Sequence, residues 1–270
     1  MKLFDTHTHI YLSEKKTEEE VIFDVQNDPN LNYITTIGTD LSSSAHNLEL
    51  HKKYPCILPA VSIHPCYIEQ YIWKLEETMQ MLEKMIESGR VVAIGECWLD
   101  YYRLPPKLEW TKYSVLELKK YQKEFFIAQI RLAKKYHLPI IIHNREAKDD
   151  IFEILESEGC TNFVVHCYSE NIEYAKKLIA FAPDCKISFS GTVTFKNAPN
   201  LQETAQRIPL KNILIETDCP YLTPVPERGT ENYPSKVKYV LRKIQELRSE
   251  WAHEIEKTIY QNSLDFFGMK

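Results

Sequence analysis

Glycine is scarce in this chain, 7 of 270 residues, where about 7% is usual. Collagen-like repeats, Gly-rich linkers and low-complexity tracts are thereby excluded. The seven cysteines are odd in number and form no C-x-x-C pair, which points to reduced thiols in a cytosolic protein. No run of 18 apolar residues occurs, so no membrane span is expected. The opening Met1-Lys2-Leu3-Phe4-Asp5 has no apolar stretch before its first charge, so no secretory signal is expected. A basic excess is also missing: 33 Lys and Arg stand against 38 Asp and Glu, a net charge of −5. That argues against a broad basic surface for gripping nucleic acid, but not against a nuclease with a small, metal-neutralised pocket. Apolar residues make up 44% and charged residues 26%. A chain of this length and balance buries a large core without disulfides or a structural metal.

Short β-rich apolar runs alternate with helical-period segments. Strands are expected at 3–10, 33–39, 57–64, 91–100, 139–145, 163–168, 186–194 and 213–219. Most are nearly continuous apolar runs, as parallel strands buried on both faces require. Between them, Ile72, Leu75, Met79, Leu82 and Ile86 follow helical spacing, as do Tyr121, Phe125, Ala128, Leu132 and Tyr136. Ile172, Ala175, Leu178, Ile179 and Ala182 make a third apolar stripe, and Val237, Val240, Leu241, Ile244 and Leu247 a fourth. Thr17 followed by Glu18, Glu19 and Glu20 has the form of a capping box. With no linker, composition shift or repeat, residues 1–270 read as one domain. Eight βα units suggest a (β/α)8 TIM barrel, with a doubly wound open sheet as the alternative. The position of the polar residues favours the barrel. His7, His9, His64, Glu96, His143, His166 and Asp218 fall at or near the C-terminal ends of the strands, which in a barrel converge on one mouth.

His7 and His9 form an H-x-H on the first strand, so alternation turns both imidazoles the same way. Glu96 interrupts the apolar run of the fourth strand, where a carboxylate is costly unless paired or metal-bound. Its two oxygens suit it to bridge two cations. His143 and His166 each close an apolar run, on adjacent strands and at matching height. Asp218 ends the eighth strand, where it could hold a metal and take a proton from water. Glu216, deeper on the same face, reads as a buried hydrogen-bonding partner. Imidazole and carboxylate donors together suit Zn, Mn, Fe or Co, and also Mg. Six such ligands suffice for two divalent ions with open positions.

The H-x-H opening, G-E-x-x-L-D at 95–100, L-P-x-x-x-H-x-R at 138–145, H-C-Y-S-E at 166–170, Phe195-Lys196-Asn197-Ala198 and E-T-D-x-P-Y-L-x-P at 216–224 resemble, as a set, the TatD family of metal-dependent deoxyribonucleases. Pro226 to Asn232 continues the resemblance. That family belongs to the amidohydrolase-like metal barrels, and the likeness implies a hydrolase of phosphodiester bonds, typically in DNA. Carried across, His7, His9, Glu96 and Asp218 would hold one metal, and Glu96, His143 and His166 the second. Asp218 would orient or deprotonate the attacking water. Three positions depart from the family pattern. Trp98 stands where Gly is frequent and shares parity with Glu96, so its bulk is expected to enter the pocket. Tyr11 stands where an Asp often follows the H-x-H, and Tyr121 where an Arg often precedes the Gln of the next helix. The stretch 103–120, with Pro105-Pro106, is longer than the usual connection and is expected to form a lid or specificity loop.

His64 is expected either to meet a phosphate or to scaffold the mouth. Arg145, two residues past His143, is expected to clamp a phosphate or to form a rim salt bridge. Lys196 and Arg228 are candidates for the DNA backbone, and Tyr67, Tyr101, Tyr102 and Tyr221 for base stacking, against ordinary packing in each case. Cys97, Cys167 and Cys219 each follow a proposed ligand and so read as core thiols pointing away from it. The function expected is a two-metal exonuclease acting on DNA or a small phosphodiester, cytoplasmic and monomeric. The alternatives are an amidohydrolase-type deaminase or cyclic-amide hydrolase, and a metal-binding scaffold without activity.

Overall fold

The structure, a computed structural model, describes residues 2–105 and 111–269, the Trp98 side chain excepted. Among the described residues are eight strands: β1 (Leu3–Thr8), β2 (Leu31–Ile37), β3 (Ile57–Val61), β4 (Ala93–Asp100), β5 (Ile140–Arg145), β6 (Phe163–Val165), β7 (Lys186–Phe189) and β8 (Ile213–Ile215). They form one sheet in the order β1 to β8. The pairings of β1 with β2, β3 with β4, β4 with β5 and β7 with β8 are parallel. Thr8 bridges Cys219, just past β8. Helices follow the strands: α1 (Glu18–Asn27), α2 (Leu41–Lys53), α3 (Leu75–Ser88), α4 (Val115–Lys135), α5 (Lys148–Ser157), α6 (Ile172–Phe181), α7 (Pro199–Arg207), α8 (Val237–Leu247) and α9 (Ala252–Phe266). This is the (β/α)8 barrel, and the open-sheet alternative falls. No helix among the described residues is long and apolar enough to cross a membrane.

Several strands stop short of their apolar runs. β3 ends at Val61 rather than His64, β6 at Val165 rather than Tyr168, and β8 at Ile215 rather than Cys219. β7 ends at Phe189, and a 3-10 turn takes up Gly191–Thr194. The reason is local. His9 and His64 each cap a 3-10 turn, while Cys167 and Asp218 adopt positive φ, 42° and 57°. The chain leaves the ladder at these residues and the strict alternation of the strand ends with it.

Contacts divide the chain into two compact units. The first comprises Met1–Thr36, Tyr54–Leu58 and Val165–Lys270. Here β1 meets the end of β8: the amide of Asp218 donates to the His7 carbonyl at 3.0 Å, and that of His9 to the Cys219 carbonyl at 2.8 Å. Helices α8 and α9 lie against both strands. The apolar stripe of α8 is buried at Val237, Val240, Leu241 and Ile244, each worth about 1.5–3 kcal/mol of transfer energy. Helix α1 starts at the expected capping box, Thr17 and Glu20 exchanging side-chain and backbone hydrogen bonds.

The second unit comprises Ile37–Lys53 and Pro59–Val164. Its centre is the β4–β5 pair, in which Trp98 faces His143 and Asp100 faces Arg145 in register. Helix α4 opens on a capping box at Ser114 and Glu117 and crosses β4. Two buried glutamines fasten it. Gln122 accepts from the Asp100 amide at 2.9 Å and donates to the Asp100 carbonyl, and Gln129 does the same for Ile63. At Gly95, φ is +153° and an added Cβ would lie 2.6 Å from Cβ of Ile141 and 2.8 Å from its carbonyl oxygen. Only glycine lets β4 approach β5 this closely immediately before Glu96.

Candidate metal centre

In the first unit the H-x-H of β1 meets Asp218. Nε2 of His7 and Nε2 of His9 are 3.2 Å apart, and each is 3.6 Å from Oδ1 of Asp218. Donor atoms held at about 2.0–2.1 Å from one tetrahedral ion would stand about 3.3 Å from each other. The three atoms therefore fit a common ion. His7 is fully buried and His9 nearly so. The His166 ring stacks on that of His7, centroids 3.8 Å apart and planes within 6°. His7, His166 and Asp218 each offer an atom within 4.8 Å of the others. Burial pushes the Asp218 carboxyl up, but the hydrogen bond from His9 and the charges of His7 and His166 outweigh it, and it lies below its ordinary value. Asp218 is thus kept as the carboxylate, the form that binds a cation and accepts a proton.

Two buried carboxylates support this set. Oε1 of Glu216 accepts from the Cys167 amide at 2.6 Å and lies 3.2 Å from Nδ1 of His166. A carboxylate on one ring nitrogen fixes the tautomer and presents the other nitrogen as the donor. Asp5 accepts from the Thr217 amide at 2.8 Å and from its hydroxyl at 2.5 Å, and weakly from the His7 amide at 3.4 Å. It ties the H-x-H strand to the residue before Asp218. Glu216 agrees with its sequence reading. Asp5 was missed, although an acid between Phe4 and Thr6 in an apolar strand carries the same signal as Glu96.

In the second unit, Oε1 of Glu96 lies 3.0 Å from Nδ1 of His143, with Glu96 buried and His143 partly open. That distance suits a hydrogen bond and equally two donors on one ion. Arg145 does not sit in a salt bridge among the described contacts; its guanidinium lies 3.7 Å from the centroid of the Tyr102 ring. His64 is buried and uses Nδ1 to accept from the Cys66 amide at 3.0 Å, capping its 3-10 turn. Scaffolding is thus its visible role. Tyr101 is tied to packing: its hydroxyl donates to Asp150 at 2.5 Å and Lys119 covers its ring at 4.0 Å. In the first unit Arg228 stacks on Phe195 at 3.9 Å, and the neighbouring Lys196 is exposed. Cys97 and Cys219 are buried as expected, while Cys167 is half-buried beside Ser190. Trp98, expected to project into the pocket, has its side chain outside the described residues, as are 106–110 of the proposed lid.

Residues 4–268 match the family described as TatD related DNase. The metal-dependent hydrolase YabD of Bacillus subtilis, itself uncharacterized, is 37% identical over 267 residues, covering 98% of each chain. Its counterpart YcfH of Escherichia coli is 32% identical over 273 residues, covering 99% of this chain and 96% of its own. Among solved structures, the TatD homologue YJJV of Escherichia coli superposes with a TM-score of 0.85 at 25% identity, covering 99% of this chain and 98% of that one. The H-x-H at the end of β1, the glutamate of β4, the histidine within β5, the histidine just after β6 and the aspartate after β8 stand in the order of the resemblance, and this chain belongs to the TatD family of metal-dependent hydrolases.

Proposed function

We propose that the chain acts as one domain, a two-metal phosphodiesterase that releases nucleotides from the end of a DNA strand. The observation that carries this reading is the convergence of His7, His9 and Asp218 at ligand-to-ligand spacing. The pairing of Glu96 with His143 supports it, as does the family's description as a DNase. In this reading His7, His9, Glu96 and Asp218 hold one divalent ion and Glu96, His143 and His166 the other, the ions being Mg, Mn, Zn, Fe or Co. Bound there, two such ions acidify water and stabilise charge on both the attacking and the leaving oxygen.

The chain's own groups then have distinct tasks. The Asp218 carboxylate accepts the proton of the attacking water. Glu216 fixes the His166 ring, and Glu96 stands against His143 as a carboxylate that would serve both ions. Arg145 and Arg228 bind phosphate oxygens beside the scissile bond. Any contact of His64 with substrate goes through Nε2, since Nδ1 caps its turn. A monomer working in the cytoplasm completes the reading.

The test is incubation of purified protein with single-stranded DNA, with and without Mg, Mn or Zn, beside Glu96→Ala. Metal-dependent release of mononucleotides, lost in the variant while its fold is retained, is the expected result. Ammonia or ring-opened product from cyclic amides without nucleotide release would replace this reading with the amidohydrolase one. No reaction with any metal, and metal affecting stability alone, would leave a scaffold.

A further inference from the structure

We infer that Tyr102, backed by Arg145, is a stacking platform for a nucleobase of the substrate. The inference rests on the phosphodiesterase reading and adds to it a preference for strands whose terminal bases are present.

The four tyrosines singled out in the sequence are not equivalent. Tyr101 has its hydroxyl bound by Asp150 and its ring covered by Lys119. Tyr67 stands edge-on to His64, centroids 5.9 Å apart. Tyr221 is 54% exposed, on the loop after β8 rather than on the β4–β5 pair that carries Glu96 and His143. Tyr102 has a guanidinium 3.7 Å from its ring centroid and is still 36% exposed. A cation on one face fixes the ring and withdraws density from it, favouring an electron-rich base in contact with the pair. The ring's mobility is thus already restricted before substrate arrives, which lowers the ordering cost of binding.

The platform is placed by the same two strands that carry Glu96 and His143. Arg145 is two residues beyond His143 on β5, hence on the same face and about 7 Å farther along the strand. Asp100 pairs with Arg145, and the Tyr101 amide donates to the Arg145 carbonyl at 3.0 Å. Tyr102 follows directly. With the Tyr102 ring against the Arg145 guanidinium, a phosphate held near Glu96 and His143 would leave its nucleoside on the side of the strands where Tyr102 stands. Arg145 then serves twice, its planar face under the ring and its N–H edge toward a phosphate oxygen.

The experiment compares two fluorescent single-stranded oligonucleotides, one ordinary and one with tetrahydrofuran abasic residues at both ends. Dissociation constants are measured by anisotropy for the native protein, Tyr102→Ala and Tyr102→Phe, and turnover is followed in parallel with Mn2+. The native protein is expected to bind the ordinary strand about 10-fold more tightly than the abasic one. Tyr102→Ala should abolish that preference by weakening the ordinary strand alone, and Tyr102→Phe should keep it. In turnover the loss should appear in KM with kcat nearly unchanged. Equal binding of both strands by the native protein would overturn the platform, and so would a Tyr102→Ala defect equal on both. Failure of the phosphodiesterase reading shows differently, as a base preference in binding with no metal-dependent release.

Discussion

At the scale of single residues, the candidate centre is made of groups that are costly to bury and are buried nonetheless. The partners of those groups decide how well they serve. Glu216 holds His166 by Nδ1 and the Cys167 amide by the same oxygen. Glu216→Gln keeps an acceptor for the amide but removes the charge that makes His166 a strong donor. It should weaken binding of Mn2+ or Zn2+ by about 10–100-fold, read by competition against a chelator, with little change in melting temperature. Farther out, Lys236 is buried and binds Glu227 at 2.8 Å, the Thr230 hydroxyl at 2.7 Å and the Glu231 carbonyl at 2.8 Å. The bonds from Lys236 and from the Tyr239 hydroxyl hold the Glu227 carboxyl below its ordinary value. A depressed carboxyl adds stability above its unfolded value, near 4.3, and loses it as pH falls through the lower folded value. Native protein should therefore exceed Glu227→Gln in stability at neutral pH, by under about 1 kcal/mol because Glu227 is 37% exposed. The gap should close on acid titration below pH about 4; a gap unchanged by acid would refute the pairing. The donors themselves were legible in sequence because a His or Glu inside an apolar run demands a partner. Asp5 was legible by the same rule. The seat of Arg145 on Tyr102 was not, since it joins residues 43 positions apart that only the β4–β5 register brings together.

At the scale of elements, the apolar runs marked all eight strands, and the stripes and the capping box marked α1, α3, α4, α6 and α8, but not α2, α5, α7 or α9, nor where each strand stops. Periodicity records which face is buried and carries no signal for the backbone turn that ends a ladder. Cys167 and Asp218 take positive φ without being glycine, so composition gives no hint of the bend. These bends free His166 and Asp218 from the sheet plane. Between β4 and β5 the element arrangement demands a glycine, Gly95. Gly95→Ala would press a methyl group into the backbone of Ile141 and push Glu96 out of line. A loss on the order of 3 kcal/mol is expected, seen as a lower denaturation midpoint with unchanged slope. Ala93→Gly, elsewhere on β4, should cost no more than about 1 kcal/mol; equal losses at the two positions would show that close approach is not what matters at Gly95.

At the scale of the whole molecule, the barrel order was legible because eight βα repeats admit few arrangements. The division into two compact units was not, since no linker or change of composition marks it. If the two sets of donors hold ions, metal should stabilise the entire chain. At 100 times the dissociation constant the gain is about 2.7 kcal/mol, or roughly 5–10 °C in melting temperature for a chain of this size. His9→Ala should shift much less, as scanning calorimetry with and without Mn2+ would show. The first unit is also discontinuous: its opening segment and its last hundred residues are separated in the chain by the whole of the second unit. The tie between Asp5 and Thr217 and the bridge between Thr8 and Cys219 both span that gap. On a ribosome adding about 5–20 residues per second, His7 and His9 would emerge some 10–40 s before Asp218 exists. Throughout that interval the nascent protein has its imidazoles but not the acid that stands beside them, so on the proposed reading a product stalled before residue 218 would be chemically silent.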